Sequence, residues 1–210
     1  MRRPLAFTGN VLLLLLLFFL ADSVMAHNEV RVSRVWNVSL LELGADEWRN
    51  KLGQTHIGTA QQDVGIQVYT AYDEKHLYLG FYVTDPFLTF EDDYSKNFSG
   101  SDHLRVYLKV DKWHEKAPLI LDLLPTSKIK EPLLKVSGLS WRSSAFQLKS
   151  VLQKEGYFVK LAVSLQELKL LPLPGERIRL NCRVNNVTKN GASLIWLVGE
   201  ETNGMELILE

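Results

Sequence analysis

Val64-Gly65-Ile66-Gln67-Val68-Tyr69-Thr70-Ala71, then Tyr72-Asp73-Glu74-Lys75, then His76-Leu77-Tyr78-Leu79-Gly80-Phe81-Tyr82-Val83 follow one another near the middle of the sequence. Val64, Ile66 and Val68 alternate with less apolar neighbours, as do Leu77, Leu79, Phe81 and Val83. Successive side chains of a strand point to opposite faces, so this period of two marks strands with one buried face. The intervening Asp and Lys supply turn chemistry, which predicts an antiparallel hairpin.

The same period extends outward. It predicts strands over Leu104–Val110, Leu119–Leu124, Phe146–Leu152, Tyr157–Val163, Ile178–Val184, Leu194–Val198 and Met205–Leu209. Helical signal is weak: Ser164 can cap a short turn over Leu165–Leu170, and Pro172 and Pro174 stop it. Many short strands with little helix give an all-β fold, a single jelly-roll-like antiparallel β-sandwich. No linker divides residues 27–210, so they are expected to form one domain.

The 210 residues carry 24 Lys+Arg against 24 Asp+Glu, a formal net charge of zero. Such a chain has no global field to gather nucleic acid, and no nucleic-acid partner is expected. The single cysteine, Cys182, excludes an intrachain disulfide framework and a multi-thiolate zinc site, and reads as a small buried hydrophobe. Residues 1–26 have Arg2 and Arg3, an apolar run of eleven from Val11 to Ala21, and the small-residue end Val24-Met25-Ala26. An apolar run this short falls well below the roughly 20 residues of a spanning helix. The pattern predicts a cleaved secretory signal peptide, against the competing reading of an uncleaved anchor. The mature protein is then expected to be secreted or periplasmic and not embedded in a membrane. Sequons lie at Asn37, Asn97 and Asn186.

Several stretches together resemble the family 9 carbohydrate-binding modules, a DOMON-like β-sandwich family. Tyr72-Asp73-Glu74-Lys75-His76-Leu77-Tyr78-Leu79 is similar to the family's D-E-x-x-L-Y-V hairpin. Phe81-Tyr82-Val83-Thr84-Asp85-Pro86 resembles the strand after it. Ser101-Asp102-His103-Leu104-Arg105 stands where the family has G-D-S-V-E, and Asp46-Glu47-Trp48 where it has an early D-x-x-W element. Gly156–Ser164 and Pro174–Asn181 resemble its next two segments. The resemblance spans most of residues 36–209 in order. It implies a jelly-roll-like sandwich, non-catalytic carbohydrate binding, a role in carbohydrate catabolism beside degrading enzymes, and structural calcium. The family grips sugar between two tryptophans. Phe98 is nearest to the first, while Gly199-Glu200-Glu201-Thr202-Asn203-Gly204 offers no aromatic for the second, and Arg105 replaces the glutamate.

The candidate carbohydrate-binding residues are therefore Phe98, Tyr94 and Trp113, with Arg105 and Asp102 as polar partners. Flat aromatic faces cover the apolar side of a sugar ring, and a few placed polar groups take its hydroxyls. Trp113 and Trp141 read equally as caps on the ends of the sandwich, and Trp36, Trp48 and Trp196 read as packing residues. Asp85, Asp92 and Asp93, with Glu91 and Asp102 nearby, are candidate oxygen ligands for Ca2+; a solvated acidic loop is the plain alternative. No nucleophile elbow, zinc-protease or phosphate-loop motif is present, so no enzyme is expected. Less favoured readings are copper on a terminal His27 and haem on Met205 or His103. A structural or protein-interacting sandwich without the sugar clamp is the alternative from another class.

Overall fold

The computed structural model describes residues 29–36, 39–52, 56–57, 63–90, 98, 100–113, 117–125, 131–137, 142–188, 191–198 and 204–210, the side chains of His56, Ile57, Trp113 and Ser143 excepted. The strands are β1 (Glu29–Val32), β2 (His56–Ile57), β3 (Gly65–Tyr72), β4 (His76–Thr84), β5 (His103–Val110), β6 (Leu119–Leu124), β7 (Leu133–Ser137), β8 (Phe146–Gln153), β9 (Gly156–Ser164), β10 (Arg177–Thr188), β11 (Gly191–Trp196) and β12 (Met205–Leu209). The helix α1 (Ala45–Leu52) lies between β1 and β2. Within the described residues no helix is long and apolar enough to cross a membrane. The expected signal peptide lies outside the described residues.

Two sheets face each other. The seven-stranded sheet has the order β1-β12-β10-β5-β6-β7, with β11 also paired to β10; the five-stranded sheet has the order β2-β3-β4-β9-β8. All strand pairs are antiparallel except β1 on β12. The expected hairpin is present, with Tyr72 opposite Leu77. Asp73 forms its turn: Oδ1 accepts from the Lys75 and His76 amides at 2.7 Å, and Oδ2 accepts from the Tyr78 hydroxyl at 2.7 Å. A side chain that satisfies the amides of the reversing backbone removes the cost of leaving them unpaired.

The alternating residues meet between the sheets. Leu77, Leu79, Phe81 and Val83 of β4 and Val159, Leu161 and Val163 of β9 face Leu104, Val106, Leu108 and Val110 of β5 and Ile178, Leu180 and Val184 of β10, all fully buried. Removing each such side chain from water contributes about 1.5–3 kcal/mol, which makes this interior the main source of stability. Cys182 and Met205 belong to the same core, and burial raises the Cys182 thiol far above the usual thiol range. Asn186 also turns inward and is buried, so its sequon is closed in the folded chain.

A second apolar cluster lies on the outer face of the five-stranded sheet. The helix α1 lays Trp48 there against Leu40, Leu41, Tyr69, Tyr78 and Phe158. The Trp48 indole N–H donates to the Leu40 carbonyl at 2.7 Å, and its ring meets Phe158 edge-on at 5.6 Å. Gly80 makes the approach possible, because a Cβ there would stand 2.7 Å from the Trp48 ring. Lys160 rises from the same face and is buried; its ammonium donates to the Leu43 carbonyl at 2.8 Å. Burial lowers its pKa, the carbonyl contacts holding the charge in place.

The 12-residue β10 is longer than any one neighbour. Its first half pairs with β12 through Arg177–Leu180, and its second half with β11 through Arg183–Thr188. Asn181 sits at the changeover. Its Oδ1 accepts from the Cys182 and Val198 amides, and its Nδ2 donates to the Val198 carbonyl at 3.3 Å, filling the gap where one partner strand leaves and the other begins.

Candidate functional site

The sequence-derived candidates separate into two places. Asp85 and Asp102 lie at one end of the sandwich and are 2% and 0% exposed. Asp102 Oδ1 accepts from the Val187 amide at 2.6 Å and Oδ2 accepts from the Thr89 amide, so one carboxylate staples residues 85–90 to β10. Thr89 closes the staple by donating its hydroxyl to the Val187 carbonyl at 2.9 Å. Asp102, expected as a polar partner for sugar, is buried and braces this connection. Burial pushes its pKa up to about 7, against the two amide hydrogen bonds, and the nearby Asp85 charge adds to the rise.

Asp85 Oδ1 accepts from the Phe87 amide at 2.9 Å, while its Oδ2 is buried without a hydrogen-bond partner. The Tyr157 hydroxyl and Asn186 Oδ1 are buried and unpartnered as well, and the Asp85 and Asp102 charges both act on Tyr157. These are hard oxygen donors of the kind calcium takes. Among the described residues no three His, Cys, Asp or Glu side chains gather as a metal site. Asp92 and Asp93, the other expected ligands, lie outside the described residues.

Arg105 belongs to the outer face of the seven-stranded sheet. Because Leu104, Val106 and Leu108 turn inward, His103, Arg105 and Tyr107 turn outward. Register aligns five outward residues in a row across β11, β10, β5, β6 and β7: Trp196, Arg183, Arg105, Asp122 and Lys135. Arg105 donates from Nε to Asp122 Oδ1 at 2.5 Å and from Nη2 to Oδ2 at 3.0 Å, a bidentate pair. That pair, with the Tyr107 hydroxyl beside it, raises the Arg105 pKa further. Trp196 is half-buried; its ring lies 5.5 Å from that of Tyr107 at 30°, and the Arg183 guanidinium stands 5.2 Å from the Trp196 centroid. Arg183 Nε is buried without a hydrogen-bond partner.

Phe98 closes one side of this face. It is only 8% exposed, adopts φ 54°, and packs edge-on against His103 with centroids 6.0 Å apart. Its ring is a lid on His103, with little surface left for a sugar. His103 is itself buried; its Nδ1 donates to the Ser101 carbonyl at 2.9 Å, and burial lowers its pKa. Asn185 donates to the same carbonyl at 3.3 Å. Tyr94 and Trp141 lie outside the described residues, as does the Trp113 side chain.

Of the tryptophans read as packing residues, only Trp48 is one. Trp36 is 61% exposed, with the Arg34 guanidinium 4.0 Å from its ring, and Trp196 stands on the outer face. Arg183, Asp122 and Tyr107 share that face, and the sequence reading did not single them out. The phase of β5 contained the signal for Tyr107, since it alternates with Val106 and Leu108.

By sequence, no family model matches the chain and no curated protein matches it. By structure, a family 9 carbohydrate-binding module from Caldicellulosiruptor kristjanssonii, solved with cellotriose, superposes with a TM-score of 0.66 at 18% identity over 87% of this chain and 93% of the module. This chain has the family 9 fold. The same module's glucose complex gives the same TM-score and identity over 87% of this chain and 95% of that one. A Bacteroides uniformis protein provisionally described as carbohydrate-binding superposes at 0.59 and 9% identity, over 88% of this chain and all of the other. The family 9 fold bears out the all-β sandwich and the resemblance carried by the hairpin, β5 and β9.

Proposed function

We propose that this protein is a non-catalytic carbohydrate-binding module, secreted or periplasmic, that holds a glycan on the outer face of its seven-stranded sheet. One observation carries the reading: a half-buried Trp196, coupled to Tyr107, stands in register with a row of charged hydrogen-bonding groups on a face that no helix of the described residues covers. An indole offers apolar area to a sugar ring, and guanidinium and carboxylate groups take its hydroxyls. The sugars bound by the similar modules, cellotriose and glucose, support the same class of ligand.

The test is binding of residues 27–210 to a broad glycan panel, repeated with Trp196→Ala. Saturable binding to one sugar class, reduced tenfold or more in the variant at an unchanged melting temperature, is the expected result. Silence across the panel from folded protein would favour the protein-interaction alternative.

We also propose that Asp85, with Asp92 and Asp93, holds a structural Ca2+. The support is the buried Asp85 Oδ2, an oxygen donor without a hydrogen-bond partner. An ion there would anchor a long connection without taking part in chemistry. Chelation should lower the melting temperature and calcium should restore it, because a ligand of the folded state stabilises that state; no shift would leave these oxygens without an ion.

A further inference from the structure

Resting on that carbohydrate-binding reading, we infer that the glycan carries a carboxylate, as in a uronic acid, and that Arg183 grips it. The outward row sets two guanidinium groups, Arg183 and Arg105, beside one carboxylate, Asp122, in a chain of zero formal net charge. The two arginines stand directly opposite each other across β10 and β5. Like charges in that position destabilise a sheet, so the arrangement calls for an anion.

Asp122 does not meet that need for both. It is committed bidentately to Arg105, leaving its two oxygens facing one guanidinium. Arg183 has no ion-pair partner among the described residues, and its buried Nε–H has no acceptor. Its guanidinium lies over the Trp196 ring, 5.2 Å from the centroid. A planar guanidinium matches a carboxylate through two parallel hydrogen bonds. A uronate ring seated on Trp196 would present its carboxylate to Arg183, and the anion would offset the repulsion from Arg105.

The experiment compares trigalacturonate, its methyl ester, cellotriose and a sulfated chondroitin trisaccharide on the unmodified protein by titration calorimetry. Trigalacturonate should bind at least about tenfold more tightly than its ester or cellotriose, as expected for a charge-assisted hydrogen-bond pair, and should weaken as salt is raised. Arg183→Gln should abolish that preference, and Arg183→Lys should recover it only in part. Equal affinity for acid and ester, or tight binding of cellotriose alone, overturns the inference and leaves the carbohydrate-binding reading intact. Binding confined to the sulfated sugar overturns the carboxylate assignment. Binding to none of the four, nor to any glycan of the broad panel, overturns both. The acid–ester comparison needs no variant, so a misfolded Arg183 substitution does not blunt it.

Discussion

The two outer faces of the sandwich have similar ingredients and opposite fates. Each carries aromatic rings and a basic side chain rising from the middle of a strand. On the five-stranded sheet, Tyr69, Tyr78 and Phe158 are roofed by Trp48, and Lys160 delivers its charge to backbone carbonyls of the same roof. On the seven-stranded sheet, Tyr107 and Trp196 adjoin Arg105 and Arg183, and only Arg105 has its carboxylate. The difference lies in which polar groups the chain satisfies by itself. The Lys160 ammonium is answered by backbone carbonyls, whereas the buried Arg183 Nε–H has no acceptor, and the proposed glycan would supply one.

The sharpest way to break this contrast is to remove the roof. Trp48→Ala deletes a fully buried indole, and large-to-small changes of that kind cost about 3–5 kcal/mol. A denaturant melt should show that loss, and glycan affinity per folded molecule should be unchanged. A matching loss of affinity would show that the two faces are coupled.

The next effect concerns the buried end that adjoins both sheets. The Asp102 pKa is raised in the folded state to about 7 from an ordinary value of 3.8. A raised carboxylate pKa contributes stability that is full below the unfolded value and is lost as pH rises through the folded value. In chelator, the melting temperature should therefore fall between about pH 4 and pH 7. Asp102→Asn should flatten that slope. An unchanged slope in the variant would mean that another group titrates there, with Asp85, also raised by burial, the first to examine.

A smaller effect is expected at the ion pair on the open face. Arg105→Leu leaves Asp122, whose side chain is 5% exposed, without its guanidinium. The expected loss is about 1–3 kcal/mol by chemical denaturation. Asp122→Asn combined with Arg105→Leu should recover part of it, because the orphaned charge is gone. Smallest of all is Trp196→Ala, which should change stability by no more than about 1 kcal/mol while removing sugar binding. A loss near that of Trp48→Ala would make the two faces alike, and the proposed distinction would fail.

How much of this was legible depended on whether the apolar pattern had a phase. In β5, Leu104, Val106, Leu108 and Val110 alternate with polar or amphipathic residues, so the inward face could be read directly, and with it the outward Arg105. In Leu194-Ile195-Trp196-Leu197-Val198 every residue is apolar, so the sequence does not show which of Trp196 and Ile195 faces out. Register with β10 decides it, and register is a tertiary fact. The helix α1 was missed because its eight residues bury a single side chain, Trp48, giving no helical period to detect. The strands β1 and β7 were missed for a related reason: each lies at an edge with little buried surface. Phe98 looked available because it sits in a connection, yet its left-handed backbone turns the ring back onto His103. Asp102 read as a polar partner for sugar, and only the fold shows two distant amides, 13 and 85 positions away, converging on it.

The divided edge of β10 has a mechanical consequence. Beyond Asn185 the strand leaves β5 behind, and Asn186, Val187 and Thr188 continue with β11 as a two-stranded arm. Two-stranded ribbons twist more than broad sheets, but this one is held from the side: the Val187 amide is taken by Asp102 and its carbonyl by the Thr89 hydroxyl. The plate bearing Arg105 and Asp122 is braced by strands on both sides. Arg183 is likewise paired on both sides, by β5 and by β11, so Trp196, Arg183, Arg105 and Asp122 belong to one plate, and their spacing is fixed by backbone register like the teeth of a comb.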